Sequence, residues 1–202
     1  MTVTACYLIY NDAPMLPRSL TPLFPHVDKI IFVEGAFATM PGPLRSDDGT
    51  IALLGDLRGQ FLDKISIIYS ETKLGEIEAR NLYLDLLTPE DLFLLVDADE
   101  IAEGDVEAGL ARATQGQKRG FGIRMVEPTR AYYRRKLFRY EAGMRFYRGQ
   151  PSLQQIETPP PYPVIDEFWF RHVWKERSLA RDELREASYR AGGGVPDLAL
   201  GV

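Results

Sequence analysis

The sequence predicts an α/β fold built on a mostly parallel sheet, and three observations lead to this prediction. Four short runs of apolar residues in the first hundred positions are typical of strands buried on both faces. Stretches with helical spacing separate these runs, as in a parallel sheet with right-handed crossovers. The second half carries shorter strand patterns, which indicate a smaller and partly antiparallel part of the same sheet.

The first half alternates strands and helices in a regular order. Strands are predicted over residues 3–10, 29–33, 65–69 and 92–96, and helices over residues 15–24, 51–61 and 76–87. Pro17 and Pro22 keep the first helix short, and residues 35–50 are a loop rich in Gly, Pro and Asp. Because ligands of such sheets bind beyond the carboxyl ends of the strands, a functional site is expected in the residues that follow each strand.

The second half is less regular. The pattern predicts a helix over residues 103–114, short strands over 120–126, 134–140 and 144–147, a proline-rich loop over 150–165, an aromatic strand over 168–174 and a charged helix over 177–190. Residues 191–202 are expected to be a mobile tail. We expect residues 1–190 to form a single domain, since 202 residues is an ordinary domain length.

Composition excludes several classes of protein. With 45% hydrophobic and 26% charged residues, the chain is neither disordered nor fibrous. Cys6 is the sole cysteine, so no internal disulfide and no multi-cysteine metal site can form. The first residues lack the pattern of a signal peptide, and no run approaches the roughly 18 apolar residues of a membrane span. A cytoplasmic location is therefore expected.

Charge is segregated along the chain, although the net charge is only −5. Residues 130–148 contain seven basic residues against one acidic residue, a net charge of +6. Much of the acid lies upstream, between Asp85 and Glu107. A site for a metal and a phosphate needs both signs of charge close together, but an ordinary charged surface would also show this pattern.

The strongest single motif is the acidic segment 97–100, with the sequence DADE, directly after the buried strand 92–96. In extended backbone Asp97 and Asp99 project to the same side, so both can approach one ligand. Carboxylate oxygens are the ligands that Mg²⁺ and Mn²⁺ prefer. The alternative is a solvated acidic strand end without a ligand.

Further motifs along the chain give the acidic segment a specific context. They are Asn11-Asp12 after the first strand, Glu34-Gly35 after the second, Ala79-Arg80-Asn81 in a helix, the acidic segment itself, Arg135-Lys136-Leu137-Phe138-Arg139, and a late His172 two residues before Trp174. With these motifs in this order, the chain resembles family 2 glycosyltransferases of the GT-A fold. Within that family it is similar to small enzymes related to lipopolysaccharide core glycosyltransferases. The resemblance covers roughly residues 3–190.

The resemblance implies a donor site for a nucleotide sugar, most simply a UDP-sugar, with Mn²⁺ or Mg²⁺ as the cofactor. It implies that Asp99 binds the metal directly, that Asp97 contacts the metal's waters or the ribose, and that His172 completes the metal site. A histidine among aromatic residues is also a common core residue. Lys175 and Arg177 would contact the diphosphate, or would be solvated charges at a helix start.

Four further residues are implied in donor binding. They are Asn11, Glu34, Arg80 and Asn81. In the family the position of Glu34 is usually an Asp that binds the nucleoside, so the Glu leaves the identity of the base open. Arg80 would face the nucleotide, although it also lies one helical turn from Glu76 and could form an ion pair with it.

The catalytic base is the point at which the sequence departs from the related enzymes. Their stretch Y-x-G-x-x-H-E has no His-Glu here, since Tyr147 and Gly149 are followed by Gln, Pro and Ser. An inverting transfer needs a carboxylate that accepts the proton of the acceptor hydroxyl. Asp166 and Glu167 are the chosen candidates over Glu157, with a strand-start turn as the alternative. Glu100 would lie near the donor sugar, support the loop or start a helix.

The acceptor is inferred from the basic segment, in which arginines alternate with aromatic residues. Arg134, Arg135 and Tyr147 are the candidate acceptor contacts, because basic residues with stacking rings hold single-stranded or flipped-out nucleic acid. A hydroxymethylated DNA base, as in viral DNA-modifying enzymes, is one acceptor. The alternatives are a polysaccharide, a lipid-linked sugar or a protein hydroxyl, or a basic sheet face without a ligand.

Two other functions remain open at this point. A nucleotidyltransferase has a similar sheet and paired acids, but it should carry a Gly-rich phosphate loop after the first strand. Residues 10–14, with the sequence YNDAP, lack such a loop. A non-catalytic relative that binds nucleotide sugars would explain the missing His-Glu.

Overall fold

Eight strands form one mixed sheet in the order β3-β2-β1-β4-β7-β6-β8-β5. The computed structural model describes residues 1–147 and 162–173. The strands are β1 (Val3–Ile9), β2 (Lys29–Glu34), β3 (Ile65–Tyr69), β4 (Leu92–Asp97), β5 (Glu100–Gly104), β6 (Gly120–Val126), β7 (Ala131–Arg139) and β8 (Val164–His172). The helices are α1 (Leu16–Leu23), α2 (Thr50–Gln60), α3 (Glu76–Leu84) and α4 (Val106–Gln115), with a 3₁₀ turn at Phe24–His26.

The first four strands of the chain are parallel to one another, and the later strands are mixed. β1 pairs in parallel with β2 and β4, and β2 pairs in parallel with β3. β7 is antiparallel to both β4 and β6, β6 is parallel to β8, and β8 is antiparallel to β5. The predicted α/β class, with a partly antiparallel second part, is confirmed.

Alternating residues of the central strands fill two hydrophobic cores, one on each face of the sheet. Ala5 and Tyr7 of β1 belong to the core that α1 and α4 cover, while Cys6 and Leu8 belong to the core that α3 covers. This two-residue period explains why β1, β2 and β4 appear in the sequence as continuous apolar runs.

The structure corrects the helix predicted over residues 103–114 and the strand predicted over residues 144–147. The helix predicted over residues 103–114 begins only at Val106, because residues 100–104 form β5. Gly104 has φ of +97°, and this conformation turns the chain into Asp105, which caps α4 by accepting from the Ala108 amide. The strand predicted over residues 144–147 is absent, since Asn81 binds the backbone N–H and C=O of Phe146 and holds that segment as irregular chain.

Several predictions fall on residues outside the described part of the chain. They are the helix over 177–190, the tail over 191–202, the domain boundary at 190 and most of the loop over 150–165. The aromatic strand predicted from residue 168 begins earlier, as β8 at Val164.

In residues 1–147 and 162–173, no helix has the length and apolar character needed to cross a bilayer.

Candidate active site at the carboxyl ends of the parallel strands

The acidic segment forms a two-residue turn that links two distant positions of the sheet. β4 ends at Asp97, Ala98 and Asp99 form the turn, and β5 begins at Glu100. β4 lies in the middle of the sheet and β5 at its edge, so the sheet curls to bring the two together. The Ser19 hydroxyl of α1 stabilises the turn by donating a hydrogen bond of 2.7 Å to the Glu100 carbonyl.

Glu100 is fully buried below this turn and forms an ion pair with Lys136. Lys136 is a buried residue, 3% exposed, and its ammonium donates to both carboxylate oxygens of Glu100. The amide of Asp97 donates to the same carboxylate at 2.9 Å. Burial raises the pKa of Glu100, and the nearby ammonium limits the rise. Glu100 therefore holds the turn in place from inside the fold.

A β-bulge directs Lys136 toward the acidic turn. Arg135 and Leu137 of β7 pair with the adjacent residues Gly122 and Phe121 of β6, so Lys136 is the extra residue between them. Such bulges reorient a side chain locally. The strand pattern of the sequence carries no sign of this insertion.

Asp97 is partly exposed and lies between two cations. Its carboxylate oxygens are 3.5 Å from the Arg80 guanidinium and 4.0 Å from the Lys136 ammonium, and its side chain is 29% exposed. Burial by itself would raise the pKa of Asp97, but Lys136, Arg80 and Arg134 hold it far below its usual range. Arg80 also binds Glu76 at 2.9 Å, so it makes the helical ion pair and reaches the acidic segment at the same time.

Asp99 and His172 are in direct contact. Asp99 Oδ2 is 2.9 Å from His172 Nε2, and the side chains are 1% and 14% exposed. On its other side, His172 Nδ1 is 3.1 Å from Glu127 Oε1. Burial by itself would lower the pKa of His172, but the hydrogen bonds to the two carboxylates raise it to about 9. Glu127 is missed by the sequence analysis, although it follows a strand as Glu34 does.

The side chains of Asp99 and His172, a carboxylate and an imidazole, are of types that bind divalent cations. In the described part of the chain, no group of three His, Cys, Asp or Glu side chains is arranged to hold a metal. Mg²⁺ and Mn²⁺, however, use few protein ligands and complete their shell with water and phosphate. Asp99 and His172 share a hydrogen bond of 2.9 Å, and a cation bound by both side chains would replace the proton between them. The pair therefore fits as two of its ligands.

Glu34 and Asn11 lie at the ends of neighbouring parallel strands, but both bind the loop that follows β2. Glu34 is fully buried, and its carboxylate accepts from the Ser46 amide at 2.8 Å and from Arg45 at 3.2 Å. Asn11 exchanges two hydrogen bonds with Asp47. The loop thus covers the carboxylate that the sequence analysis assigned to the nucleoside.

Comparisons with known proteins give structural neighbours only. No family model matches the sequence, and no curated protein matches it. S. aureus TarS, solved alone, with UDP and with UDP-GlcNAc, is 19% identical with a TM-score of 0.50. The match covers 63% of this chain and 36% of the TarS 1–349 chain, so this chain spans about a third of the length of that solved TarS chain.

Two further neighbours are more distant in structure. A putative glucose-1-phosphate thymidylyltransferase from Bacillus anthracis is 15% identical with a TM-score of 0.49, over 90% of this chain and 78% of its own. The mannosyltransferase PcManGT from Pyrobaculum calidifontis, in complex with GDP-Man and Mn²⁺, is 20% identical with a TM-score of 0.47. That match covers 62% of this chain and 35% of the other.

The curled mixed sheet and the TarS match agree on the architecture. The chain has a GT-A-like fold. In this GT-A-like sheet, Leu8 of β1 is opposite Asp97 and Ile9 is opposite Glu34. Asp97 and Glu34 therefore flank the end of β1, about 10 Å apart across two strand spacings.

The three predicted acceptor residues have different surroundings in the GT-A-like fold. Arg134 lies near Asp97 and lowers its pKa. Arg135 stacks on the ring of Tyr162 at 4.1 Å, and Tyr147 is 60% exposed. Other cations of the basic segment are engaged in the fold: Arg130 pairs with Glu127, Lys136 with Glu100, Arg139 with Glu90, and Arg145 with Asp85.

Asp166 and Glu167, the residues predicted to act as the catalytic base, lie at the opposite end of β8 from His172. Glu167 pairs with Arg112 of α4 at 3.0 Å, and Asp166 is exposed. His172 lies five positions after Glu167 along the strand, a distance of about 16 Å. The structure thus does not bring Asp166 and Glu167 to the acidic turn. Lys175 and Arg177 lie outside the described residues.

Proposed function

We propose that the chain is a metal-dependent glycosyltransferase that moves a sugar from a nucleotide-sugar donor to an acceptor hydroxyl. One observation carries this proposal: a GT-A-like fold places the turn 97–100 at the carboxyl ends of its parallel strands, with Asp99 against His172. UDP and UDP-GlcNAc, which are bound in the TarS structures, support UDP-sugars as the first donors to test.

The protein's own residues supply orientation and charge in this proposal. Asp97 stays ionised between Arg80 and Lys136 and is the exposed acid of the turn, so it accepts hydrogen bonds from the donor's ribose. Glu100 and Lys136 keep the turn in one conformation from below. Lys175 and Arg177 remain the proposed contacts of the diphosphate, on the strength of the sequence resemblance.

Asp99 and His172 are the proposed protein ligands of Mg²⁺ or Mn²⁺. When bound, such an ion supplies Lewis-acid stabilisation of the negative charge on the leaving diphosphate.

The proposed location is the reducing cytoplasm. Cys6 is a free cysteine buried in β1, which is consistent with that location. An inverting outcome remains part of the proposal, and the anomeric configuration of the product tests it.

We propose a carbohydrate hydroxyl as the acceptor, in preference to a DNA base. Four cations of the basic segment form ion pairs within the fold, and Lys136 and Arg139 among them are buried. Residues 130–147, the described part of the segment, therefore do not present a continuous basic surface, which weakens the physical argument for DNA. Hydroxymethylated DNA still belongs in the acceptor panel, where mass spectrometry of its nucleosides would detect the added sugar.

A donor panel tests the proposed reaction against its alternatives. UDP-, GDP- and TDP-sugars are incubated with the protein and Mn²⁺, and the products are separated by chromatography. Release of a nucleoside diphosphate supports the glycosyltransferase. Formation of a nucleotide sugar from a sugar phosphate and a nucleoside triphosphate identifies a nucleotidyltransferase. Binding of a donor without cleavage, under conditions in which acceptors are present, identifies a non-catalytic relative.

A further inference from the structure

Glu127 lies where β6 turns into β7. It follows β6 directly and precedes Pro128, and its amide donates to the carbonyl of Arg130 at 2.9 Å to close the turn. Its side chain is 8% exposed and points into the region between β7 and β8. A carboxylate so well buried needs hydrogen-bond donors around it.

Three donors surround the Glu127 carboxylate. Oε1 accepts from the Tyr132 hydroxyl at 3.0 Å and faces His172 Nδ1 at 3.1 Å, while Oε2 accepts from Arg130 at 3.0 Å. Arg130 also lies over the Tyr132 ring at 5.0 Å. These three contacts fix the carboxylate in position.

The imidazole of His172 is held by Glu127 on one side and Asp99 on the other. With the Nδ1 proton donated to Glu127, the plane of the ring is set and Nε2 points at Asp99. Histidines that bind metals almost always donate their other ring N–H to a carboxylate or carbonyl, which fixes both the tautomer and the orientation. The arrangement Glu127–His172–Asp99 has this order of groups.

We propose that Glu127 is a positioning residue that fixes the tautomer and the orientation of His172 for divalent metal binding with Asp99. This inference rests on the metal site of the proposed function. Loss of such an outer carboxylate reduces metal affinity about 10- to 100-fold in characterised sites. Arg130 and Tyr132, which hold Glu127, are not expected to contact the metal.

Affinity for Mn²⁺ measured without any donor sugar tests the proposal apart from activity. Electron paramagnetic resonance counts free Mn²⁺ in a titration of the protein. We expect Glu127→Ala to weaken binding about 10- to 100-fold, and Glu127→Gln, which keeps an oxygen acceptor, to weaken it less. Glu103→Ala is the matched control, because Glu103 binds the neighbouring β8 residues Trp169 and Arg171 and should leave the affinity unchanged.

Histidine nitrogen NMR provides a readout that a general loss of packing would not reproduce. The chain has two histidines, so a His26→Gln variant assigns the His172 signals. Diamagnetic Mg²⁺ should shift the Nε2 signal of His172 in the wild type and leave Nδ1 protonated. In Glu127→Ala the nitrogen chemical shift of Nδ1 should change to that of a ring nitrogen without a bound proton.

The outcomes separate this inference from the proposed function. Equal Mn²⁺ affinity of Glu127→Ala and the wild type, or an equal loss in Glu103→Ala, would overturn the role of Glu127. The absence of Mn²⁺ binding by the wild type would overturn it as well. A wild type whose Mn²⁺ affinity depends on Glu127 but which cleaves no donor would leave the positioning role intact and reject the proposed transferase. If Glu127→Ala does not fold, Glu127→Gln provides the same comparison.

Discussion

The Lys136 ammonium donates to both carboxylate oxygens of Glu100, and both side chains are buried. The pair joins β7 to the start of β5, directly beneath Asp97. A buried pair of this kind is costly to break, because the remaining partner keeps its charge without compensation. The shape of the acidic turn therefore depends on a residue 36 positions farther along the chain.

Removing the charge of Lys136 alone should destabilise the protein. Lys136→Met leaves the Glu100 carboxylate buried without its cation, and we expect the free energy of unfolding to fall by about 3–5 kcal/mol. Urea denaturation measures this change. The double variant Lys136→Met with Glu100→Gln should recover part of the loss, and a single-variant loss below about 1 kcal/mol would argue against the buried pair.

Asp97→Asn should impair donor binding and leave the fold intact. The side chain is partly exposed, and the substitution removes a charged hydrogen-bond acceptor without changing its size. A hydrogen bond to a charged group contributes about 1.5–3 kcal/mol, so affinity for UDP should fall roughly 10- to 100-fold. Calorimetric titration with UDP and Mn²⁺ measures it. Unchanged affinity would remove Asp97 from the donor site.

The loop after β2 should loosen when Glu34 loses its carboxylate. In Glu34→Ala the Ser46 amide loses its acceptor and Arg45 loses its ion-pair partner. We expect faster hydrogen exchange of the Ser46 amide by about tenfold or more, since a charge-assisted bond of about 1.5 kcal/mol or more is removed. Exchange of core amides in β1 provides the internal reference. Unchanged exchange at Ser46 would mean that Glu34 does not hold this loop.

Asp91 should stabilise the protein only when it is ionised. Burial would raise its pKa, but hydrogen bonds from Thr88 and Thr2 lower it below the ordinary value of 3.8. A carboxyl with a lowered pKa in the folded state stabilises above its unfolded pKa, and this contribution disappears as the pH falls through the folded pKa. Asp91→Asn should therefore cost about 1–2 kcal/mol at pH 6.

The pH dependence of this cost is the check. The difference in free energy of unfolding between wild type and Asp91→Asn should narrow as the pH falls below 3.8. Chemical denaturation at several pH values measures the difference. A gap that stays constant from pH 6 to pH 2 would show that ionisation of Asp91 does not contribute.

Two variants, each with one glycine replaced by alanine, test the packing of β8 against α4. A Cβ at Gly109 would lie 2.5 Å from Phe168 and 2.8 Å from Ile165, whereas a Cβ at Gly55 of α2 meets no atom within 4 Å. Gly109→Ala should therefore destabilise by about 1–3 kcal/mol, and Gly55→Ala should stabilise by up to about 1 kcal/mol. Thermal unfolding of both variants measures the contrast. Equal effects would contradict this position of β8.

The sequence predicts the elements whose signals are local. β1, β2, β3 and β4 are continuous apolar runs, and the acidic segment is visible because it ends such a run. β5 is missed because its pairing partner β8 lies more than 60 residues away, so Glu100–Gly104 carries no strong pattern of its own. Short strands of this kind are defined by tertiary contacts more than by propensity.

The site is predictable to the same extent. The turn 97–100 is found because it follows an apolar strand, and His172 is found from the order of the motifs that carry the family resemblance. The direction of Lys136 is set by a bulge, and the burial of Glu34 is set by the fold of the loop that carries Arg45 and Ser46. Glu127 could have been found from its position after β6, because acids that follow strands meet at one edge of such a sheet.

Cleavage of a UDP-sugar in the presence of Mn²⁺ tests the central claim most directly. The initial rate of UDP release is compared for wild type, Asp99→Asn and Asp56→Asn, an equivalent substitution on the exposed surface of α2. We expect release by wild type and Asp56→Asn, and a loss of about 100-fold or more in Asp99→Asn, as for removal of a strong transition-state contact. Equal rates in Asp99→Asn and wild type, or no release by wild type from any UDP-, GDP- or TDP-sugar, would contradict it.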